Sequence, residues 1–364
     1  MILCIITASD LPEGVMVAST PQRPWVLYVI IFMLLVALTP LFLSSQGNTT
    51  TTFGSTQKIQ YDGFQQPSAA DLQGKEIVRV GVYILSVGNL DTKTGTYVID
   101  FFLNLKCETA DCDPKDFDIM NAASRQSDPQ TTDEDIAAGE YYYRIRANLQ
   151  TNLNLREFPF DQHTLAIELE DKNKTRDKYI FIADPKRSGI DSEVYVAGWL
   201  LEPYILGEEK AHDYPIYEEA YSRVKFAIKI YHPWSSSFMK GLFAAIVIVG
   251  AGMLSFLLKE NEARDRITLS SSTLASAIFY HMTLTASVPP VGYLTYADRF
   301  MILQYIFIAT QLFVAITLFL LQRPDNDTPE NKQLSKQIHT TTRWMIPLGW
   351  MLSLIALHLT TFGL

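Results

Sequence analysis

Long apolar stretches near both ends of the chain enclose a polar region of roughly 190 residues. Each stretch approaches the length of about 20 residues that an α-helix needs to cross the hydrocarbon core of a bilayer. The pattern predicts one membrane span near the N-terminus and a group of spans at the C-terminal end. The apolar stretches are Trp25–Leu43, Phe238–Leu258, Ile267–Val288, Phe300–Leu321 and Trp344–Leu364.

The polar region alternates between apolar and polar positions over short runs, which is the pattern of half-buried β-strands. Turn-forming residues separate the runs, as in Asp91–Gly95, so we predict antiparallel strands joined by turns. Short strands in this number indicate an immunoglobulin-like β-sandwich. The predicted strands are Ile77–Val87, Tyr97–Leu105, Glu140–Leu149, Thr164–Glu170, Lys178–Ala183, Glu193–Leu206 and Tyr221–Tyr231.

These patterns predict a mixed β and α membrane protein. Residues 1–45 form a signal peptide or an N-terminal anchor helix, and residues 46–75, which lack periodicity, form a flexible tether. The β-sandwich covers residues 76–234, and a four-helix transmembrane bundle covers residues 235–364. Basic residues concentrate in the connections after Leu258 and Leu321, which makes these connections cytoplasmic. The sandwich is therefore expected on the extracellular or periplasmic side of a cell membrane.

The stretch Ile267–Val288 carries hydroxyl groups on ten residues, which argues against burial of the whole helix in lipid. At helical spacing, one narrow stripe begins with hydroxyls and continues with apolar side chains. Copies of this helix around an axis would line a pore with a charged ring, a polar constriction and an apolar gate. The alternative is a helix buried in a monomeric bundle, where the hydroxyls bond to neighbours. The stripe consists of Thr268, Ser272, Ala275, Phe279, Met282 and Ala286, preceded by Asp265.

Charge and motif content narrow the function classes. The formal net charge of −9 argues against nucleic acid as a partner and fits cations and small cationic ligands. The sequence has no phosphate-binding glycine loop, HExxH or G-x-S-x-G pattern, so we predict neither enzymatic activity nor a cofactor. Cys107 and Cys112 form one local disulfide or remain two free thiols, and no metal site is predicted, since a zinc site needs more ligands.

A short apolar turn, Phe158-Pro159-Phe160-Asp161-Gln162, lies between two predicted strands. Because an exposed Phe-Pro-Phe would be a liability on a soluble domain, we expect it to pack at the membrane-facing end of the sandwich. His232 is expected near Asp161, and a histidine beside a carboxylate titrates in the physiological range. This predicts a pH-sensitive contact, with a histidine that caps a strand end as the alternative.

Together, these motifs resemble those of the pentameric ligand-gated ion channels, or Cys-loop receptors, over about residues 77–364. The turn Phe158–Gln162 is similar to the family's signature loop, Asp265–Ser272 to the start of the pore helix in cation-conducting members, and Pro289–Phe300 to the link that follows. The loop cysteines of animal receptors are absent and the connection 322–342 is very short, as in prokaryotic members. The resemblance implies a homopentamer in a lipid bilayer, opened to permeant ions by a small extracellular ligand, proton or divalent ion.

The resemblance also implies roles for individual residues. In the family, agonists bind beneath the hairpin that joins the last two strands, here roughly Gly207–Ser222. Its aromatic side chains can hold an organic cation, and simple packing of a mobile loop is the alternative. The implied roles are ligand binding by Tyr214, Tyr217 and Tyr221, a gating interface of Phe158, Pro159, Phe160, Asp161, His232, Pro289 and Pro290, and pore lining by Asp265, Thr268, Ser272, Ala275, Phe279 and Met282.

Departures from the family pattern leave alternatives open. Ala275 stands where a large aliphatic gate residue is usual, which moves the expected gate to Phe279 and Met282. Arg264 and Arg266 flank the carboxylate at the start of the pore helix, so a cation channel is expected and an anion channel is the alternative. A membrane-anchored small-molecule sensor without a pore is a further alternative.

Overall fold

The alternating runs of the polar region form two β-sheets that pack face to face. The computed structural model describes residues 64–109, 112–123, 130–135, 139–259, 261–286, 288–326 and 328–362. The predicted N-terminal segment 1–45 and residues 46–63 of the predicted tether lie outside these ranges.

The strands found in the described ranges pair mostly with antiparallel neighbours. In chain order they are β1 (Glu76–Asp91), β2 (Thr96–Cys107), β3 (Phe117–Ile119), β4 (Gln130–Asp135), β5 (Glu140–Gln150), β6 (Gln162–Asp171), β7 (Tyr179–Ala183), β8 (Gly189–Ile190), β9 (Leu200–Tyr214) and β10 (Glu219–Tyr231). One sheet has the order β4-β5-β2-β1-β7, with β8 also paired to β1, and the other has the order β3-β6-β10-β9. The predicted β-sandwich is confirmed.

Side chains at alternate strand positions build the core between the sheets. Val78 and Val80 of β1 are fully buried, and Phe101 and Phe226 meet this core from opposite sheets. Each such burial stabilises the fold by about 1.5–3 kcal/mol. The β1–β2 turn requires glycine at Gly95, where φ is +70° and a Cβ would collide with the carbonyl of Thr151.

The strand pattern differs from the prediction in direction and in one boundary. β7 and β8 run parallel to β1 rather than antiparallel, because the chain crosses from the second sheet to the first after β6. The predicted strand Glu193–Leu206 begins only at Leu200. The preceding residues form turns, in which the carboxylate of Asp191 accepts a hydrogen bond from the amide of Glu193 at 2.9 Å.

Two segments that lie outside the predicted strands contain strands. The hairpin 207–222 is largely extended, since β9 continues to Tyr214 and β10 begins at Glu219. Ladder hydrogen bonds between these strands satisfy the backbone that a loop would leave to solvent. The acidic segment after Cys107 contains β3 and β4, and a disulfide joins Cys107 to Cys112.

Part of the predicted flexible tether is packed on the sandwich. The ring of Phe64 lies 6.4 Å from that of Phe226, measured between centroids. The amide of Gln65 donates a hydrogen bond to the carbonyl of Gly207 at 2.9 Å. The aromatic side chain and the backbone bond give residues 64–75 an attachment that their lack of periodicity did not reveal.

The C-terminal region is helical. Its helices are α1 (Trp234–Gly241), α2 (Phe243–Met253), α3 (Ala263–Thr285), α4 (Tyr296–Leu321) and α5 (Pro329–Phe362), with a 3-10 turn at Leu254–Leu257. By length and composition, α4 and α5 can each cross a membrane. α1 and the helical segment that follows it meet at a bend of 46°, and they make a third span if the bent pair is counted as one span. By the same test, α3 is not apolar enough to be counted as a membrane span. The predicted span Phe238–Leu258 is thus broken rather than continuous.

The helices extend beyond the apolar stretches because polar residues cap and lengthen them. The side chains of Thr295 and Asp298 form a capping box that starts α4. α5 begins at Pro329, so the segment 322–342, predicted as a short connection, is largely helical. At about 1.5 Å per residue, α5 is about 50 Å long, which exceeds the roughly 30 Å of a hydrocarbon core. Its first turns therefore extend beyond the apolar segment that starts at Trp344.

Candidate functional site

The stripe predicted on the hydroxyl-rich helix is an exposed face of α3. Phe279 and Met282 are 70% and 64% exposed although both are apolar. The opposite face, which includes Arg266, Thr273 and Ala277, is buried against the other helices. The stripe is therefore not buried by the other described helices of the chain. All the predicted pore-lining residues are exposed: Asp265, Thr268, Ser272, Ala275, Phe279 and Met282.

The charged residues at the start of α3 point in different directions. Arg266 is 1% exposed, and its guanidinium contacts the carbonyl of Leu258 and, at 3.0 Å, Nδ1 of His339 on α5. The guanidinium of Arg264 lies 5.9 Å from the ring centroid of Phe319 on α4. Asp265 is exposed. The guanidinium of Arg266 is thus turned in among the helices, whereas Arg264 and Asp265 are both exposed at the start of the stripe.

The hydroxyls of α3 donate to the preceding helical turn. The hydroxyl of Thr268 donates to the carbonyl of Arg264 at 3.1 Å, and that of Ser276 donates to the carbonyl of Ser272 at 2.9 Å. A hydroxyl whose hydrogen is donated to the backbone in this way presents its oxygen lone pairs outward. The exposed face therefore offers oxygen acceptors, which suit cations and their hydration water.

The tyrosines predicted to bind a ligand come together at one cavity of about 220 Å³. The ring of Tyr214 lies 5.6 Å from that of Tyr221 and 6.4 Å from that of Tyr217. The hydroxyl of Tyr214 donates to Glu170 at 3.0 Å and accepts from Arg223 at 2.9 Å. This network orients one ring, whereas Tyr217 is 65% exposed at the cavity mouth.

Acidic residues surround the tyrosine cavity. Asp118, Glu170 and Asp171 line it, with Lys172 as the basic residue among its lining. Burial raises the pKa of Asp171, although the amides of the following loop donate hydrogen bonds to its carboxylate. Burial also raises the pKa of Tyr214, as does its hydrogen bond to Glu170. The cavity can therefore favour a cationic guest through aromatic faces and carboxylates.

The loop between β5 and β6 carries the Phe-Pro-Phe-Asp sequence into the helical region. Pro159 packs on α1 so closely that a Cβ at Gly241 would lie 2.7 Å from it. Aromatic side chains from three helices surround the ring of Phe160. Its neighbours, with centroid distances of 6.1, 5.7 and 5.8 Å, are Trp234, Tyr296 and Phe362.

Backbone hydrogen bonds fasten the same loop to the start of α4. The amides of Tyr296 and Ala297 donate to the carbonyls of Arg156 and Phe158 at 2.8 and 3.0 Å. The first amides of a helix lack partners within the helix, so the loop satisfies donors that would otherwise be orphaned. The loop therefore caps the N-terminal end of α4 and is attached to it by two backbone hydrogen bonds.

The link after α3 meets the loop at one residue rather than at its prolines. The amide of Leu155 donates to the hydroxyl of Tyr293 at 3.0 Å, and the guanidinium of Arg156 lies 4.5 Å from the ring centroid of Tyr293. Within the described residues, Pro289 and Pro290 form no hydrogen bond to the loop, and Pro290 is exposed. The expected contact is thus made by Tyr293 and the first turn of α4.

Asp161 is the centre of a buried cluster beneath the sandwich. It is 2% exposed, with one carboxylate oxygen 2.5 Å from Nε2 of His163 and the other 3.7 Å from Nδ1 of His232. The ring of Trp199 stacks on His232 at 3.6 Å between centroids. Burial would raise the pKa of Asp161, but the hydrogen bond to His163 and the nearby His232 outweigh it and lower the pKa to about 2. The carboxylate is therefore ionised.

His163 and Trp199 were not identified from the sequence. Residues two apart on a strand point to the same side, so the sequence Asp161-Gln162-His163 already carried a signal for His163. No such signal existed for Trp199, because turns bring it to the cluster. His232 lies where it was predicted, as the more distant of the two histidines.

A β-sandwich fastened by one loop to apolar helices, with a hydroxyl-bearing stripe on one of them, defines a membrane protein with a β-sandwich domain outside the bilayer. No family model matches the chain. The chain is similar to the proton-gated ion channel of Gloeobacter violaceus (strain ATCC 29082 / PCC 7421), with 21% identity over 308 residues, which are 79% of this chain and 83% of the relative.

This similarity confirms the resemblance to prokaryotic-type pentameric ligand-gated ion channels, and with the apolar helices it confirms a membrane location. The relative is an ion channel rather than an enzyme, so the prediction of a non-enzymatic protein is confirmed.

Proposed function

We propose that the chain is a subunit of a homopentameric, cation-conducting channel whose pore is lined by α3. The supporting observation is the exposed stripe, which no other part of the described chain covers and which combines a carboxylate, hydroxyls and apolar side chains in order. In this proposal the sandwich of residues 76–234 senses the stimulus. Residues 235–364 form a four-helix bundle in which α1 and α2 make one bent span.

Selectivity is proposed to reside in rings of Asp265 and Thr268, one residue of each from every subunit. Burial of Arg266 supports this, because it removes one neighbouring positive charge from the stripe, and the exposed guanidinium of Arg264 lies 5.9 Å from the ring centroid of Phe319 on α4. Rings of carboxylates favour cations in a pore. An anion-conducting pore would require one of the guanidinium groups to reach the axis.

Closure is proposed to come from rings of Phe279 and Met282. Their exposure in a single chain supports this role, since large apolar side chains facing a narrow pore expel water from it. Ala275, between the hydroxyl and apolar parts of the stripe, is too small to close such a ring by itself.

The stimulus is proposed to act on the sandwich and to shift the population of open channels. A small cationic ligand in the tyrosine cavity is one candidate. The relative is named a proton-gated channel, and the cluster of Asp161, His163 and His232 gives protons a site at the domain interface. Protonation of either ring would change the charge balance around Asp161.

The decisive experiment measures reversal potentials of the purified protein in planar bilayers under a salt gradient. We expect a cation-directed reversal potential in the wild type that moves towards zero in Asp265→Ala. Arg264→Gln is the matched control, since it removes a neighbouring charge of the opposite sign and should preserve cation selectivity. An anion-directed potential would contradict the assignment of Asp265, and silence across pH, calcium and amines would favour the sensor without a pore.

A further inference from the structure

The segment that precedes β1, residues 64–71, lies along the edge of the sandwich where both sheets end. β7 is the last strand in the order of the first sheet, and β9 is the last strand in the order of the second. The amide of Gln65 donates to the carbonyl of Gly207 on β9 at 2.9 Å. The side-chain amide of Gln66 donates to the carbonyl of Ala183 on β7, also at 2.9 Å. Residues 64–71, termed the strap below, thus bridge the two edge strands.

One aromatic ring gives the strap a hydrophobic attachment. The ring of Phe64 lies 6.4 Å from that of Phe226 on β10, measured between centroids. A Cβ at Gly207 would lie 2.6 Å from the Phe64 ring, so glycine at this position leaves room for the ring on the backbone of β9. The strap therefore reaches past the edge strand to a core residue of the strand behind it.

The other end of the strap is attached through Arg176, in the loop between β6 and β7. The carboxylate of Asp71 accepts a hydrogen bond from the hydroxyl of Ser68 at 2.8 Å and lies 3.7 Å from the guanidinium of Arg176. The same guanidinium donates two hydrogen bonds, of 2.9 and 3.0 Å, to the carboxylate of Glu209 on β9. The amide of Arg176 donates to the carbonyl of Ala220 on β10 at 2.7 Å. Arg176 thus joins the strap to both strands of the β9–β10 hairpin.

The junction at Arg176 is firm on the hairpin side and weak on the strap side. The side chain of Glu209 is 1% exposed and accepts a further hydrogen bond from the hydroxyl of Ser222 at 2.9 Å. The side chain of Asp71 is 44% exposed, and an exposed ion pair contributes little because water screens it. Segments with few buried contacts open locally before the sheets unfold. The strap is such a segment, since a few separate contacts attach it.

The elements that the strap holds also form the tyrosine cavity. Tyr214 is the last residue of β9, the strand that carries Glu209, and Tyr221 lies on the paired strand β10. Lys172, in the same loop as Arg176, lines the cavity together with both tyrosines. The cavity therefore depends on how the hairpin sits against the β6–β7 loop, and the strap is attached to both.

We propose that the strap is a releasable restraint that fixes the base of the β9–β10 hairpin and thereby positions Tyr214, Tyr217 and Tyr221 at the cavity. When the strap is released, the edge of β9 loses a neighbour and Arg176 loses one of its two carboxylate partners. The hairpin then moves more freely relative to the β6–β7 loop. The effect on ligand binding rests on the proposed ligand site in the tyrosine cavity, whereas the restraint on the hairpin does not.

Hydrogen–deuterium exchange of the full-length protein in detergent at pH 7, followed by mass spectrometry, tests the restraint. The strap variant combines Phe64→Ala with Gln66→Ala, which removes the ring contact and the bond to β7. We expect peptides from residues 207–222 to exchange at least fivefold faster, and peptides from β1, β2 and β5 to change less than twofold. Gln65→Ala is the matched control and should leave exchange unchanged, because Gln65 binds β9 through its backbone amide.

Two single substitutions separate the restraint from a general loss of folding. Phe64→Tyr keeps the aromatic ring, so its exchange should match that of the wild type. Asp71→Asn removes the charge that faces Arg176 and should by itself make hairpin exchange at least twofold faster. Since Asp71 is partly exposed, this variant replaces the strap variant if the latter does not fold, as judged by size-exclusion chromatography.

Binding of tetramethylammonium, measured by calorimetry, connects the restraint to the cavity. We expect the strap variant to bind this cation at least threefold more weakly than the wild type, because its tyrosines are held less firmly. Equal affinity despite faster hairpin exchange would overturn the positioning of the tyrosines by the strap. A wild type that does not bind the cation would count against the proposed ligand site, and exchange would still decide whether the strap restrains the hairpin.

Three exchange results would overturn the restraint itself. The first is unchanged hairpin exchange in both the strap variant and Asp71→Asn. The second is exchange that becomes faster to the same extent throughout both sheets, which would mean that the strap closes the edge of the sandwich without a selective hold on the hairpin. The third is an equal change in Gln65→Ala, which would remove the role assigned to the Phe64 and Gln66 side chains.

Discussion

Replacement of Asp161 by asparagine tests whether the negative charge in the buried cluster at the domain interface stabilises the folded protein. Asp161 is 2% exposed, and its pKa is lowered from 3.8 to about 2. Because one pKa unit corresponds to about 1.4 kcal/mol, the ionised carboxylate stabilises the folded protein by about 2 kcal/mol at neutral pH. Deep burial means that solvent screens little of this contribution.

The direction of the pH dependence follows from the lowered pKa. A carboxyl whose pKa is lower in the folded state contributes its full stability above its unfolded pKa, and loses it as the pH falls through the folded pKa. For Asp161 the loss therefore occurs between about pH 4 and pH 2. The free energy of unfolding of the wild type should therefore fall towards that of Asp161→Asn across this interval.

Thermal unfolding of the full-length protein, followed by tryptophan fluorescence in one detergent, measures this difference. At pH 7 we expect Asp161→Asn to unfold about 4–8 °C lower, from about 2–4 °C per kcal/mol for a domain of this size. Near pH 2 the two midpoints should converge. Asp100→Asn is the control, because its partner Arg144 is largely exposed and such pairs contribute about 0–1 kcal/mol.

A midpoint difference that stays constant from pH 7 to pH 2 would refute the reasoning. It would mean that packing or neutral hydrogen bonds of the Asp161 side chain, rather than its charge, carry the stability. An Asp161→Asn variant as stable as the wild type at pH 7 would equally contradict the proposed electrostatic contribution.

Three further predictions concern gating. His163→Gln keeps a hydrogen-bonding side chain that cannot be protonated. We therefore expect the pH dependence of bilayer currents between pH 5 and 8 to flatten. An unaltered pH profile would remove His163 from the gating mechanism. Phe160→Ala removes three ring contacts worth about 0.5–1.5 kcal/mol each, so maximal open probability should fall while the affinity of a tyrosine-cavity ligand, measured by calorimetry, changes less than threefold. Phe279→Ser should wet the proposed gate and produce current without a stimulus, and silent Phe279→Ser channels that still open with the stimulus would place the gate elsewhere.

The sequence was most informative where one periodicity dominates. Alternating residues in β1 and β2 predicted strands whose bounds differ from the observed ones by a few residues, because one buried face leaves little choice of register. The stripe on α3 was visible for the same reason, as helical spacing places Thr268, Ser272 and Phe279 on one side. Its exposure depends on the packing of the other helices, which no local pattern encodes.

The remaining features depend on contacts that are distant in sequence. The burial of Arg266 follows from its bonds to the α2–α3 connection and to His339 on α5, so the sequence alone could not decide between the charges that flank Asp265. Trp199 reaches the Asp161 cluster through turns. The link after α3 was expected to meet the Phe-Pro-Phe-Asp loop, but the sequence could not show that Tyr293 and the start of α4, rather than the two prolines, make the contact.

The contacts of the domain interface suggest how a movement of the sandwich reaches the pore helix. The loop touches α1 where Pro159 packs on Gly241, and touches α4 at its first turn. The hydroxyl of Tyr280 on α3 donates to the carbonyl of the same Gly241 at 3.1 Å. His281, the next residue, lies 3.3 Å from the carboxylate of Asp298 in the first turn of α4. One turn of α3 is thus held by the two helices that the loop contacts.

This arrangement makes a direct push on the link after α3 unnecessary. Tyr280 and His281 lie in sequence between Phe279 and Met282, the proposed gate residues. The loop contacts α1 and α4 directly, and these two helices contact Tyr280 and His281 directly. A displacement of the loop that moved α1 and α4 would carry both supports of that turn with it. We therefore expect Tyr280→Phe, which removes the bond to α1 and keeps the ring, to weaken coupling in bilayer recordings more than Pro290→Ala, and the reverse order would restore the link as the main route.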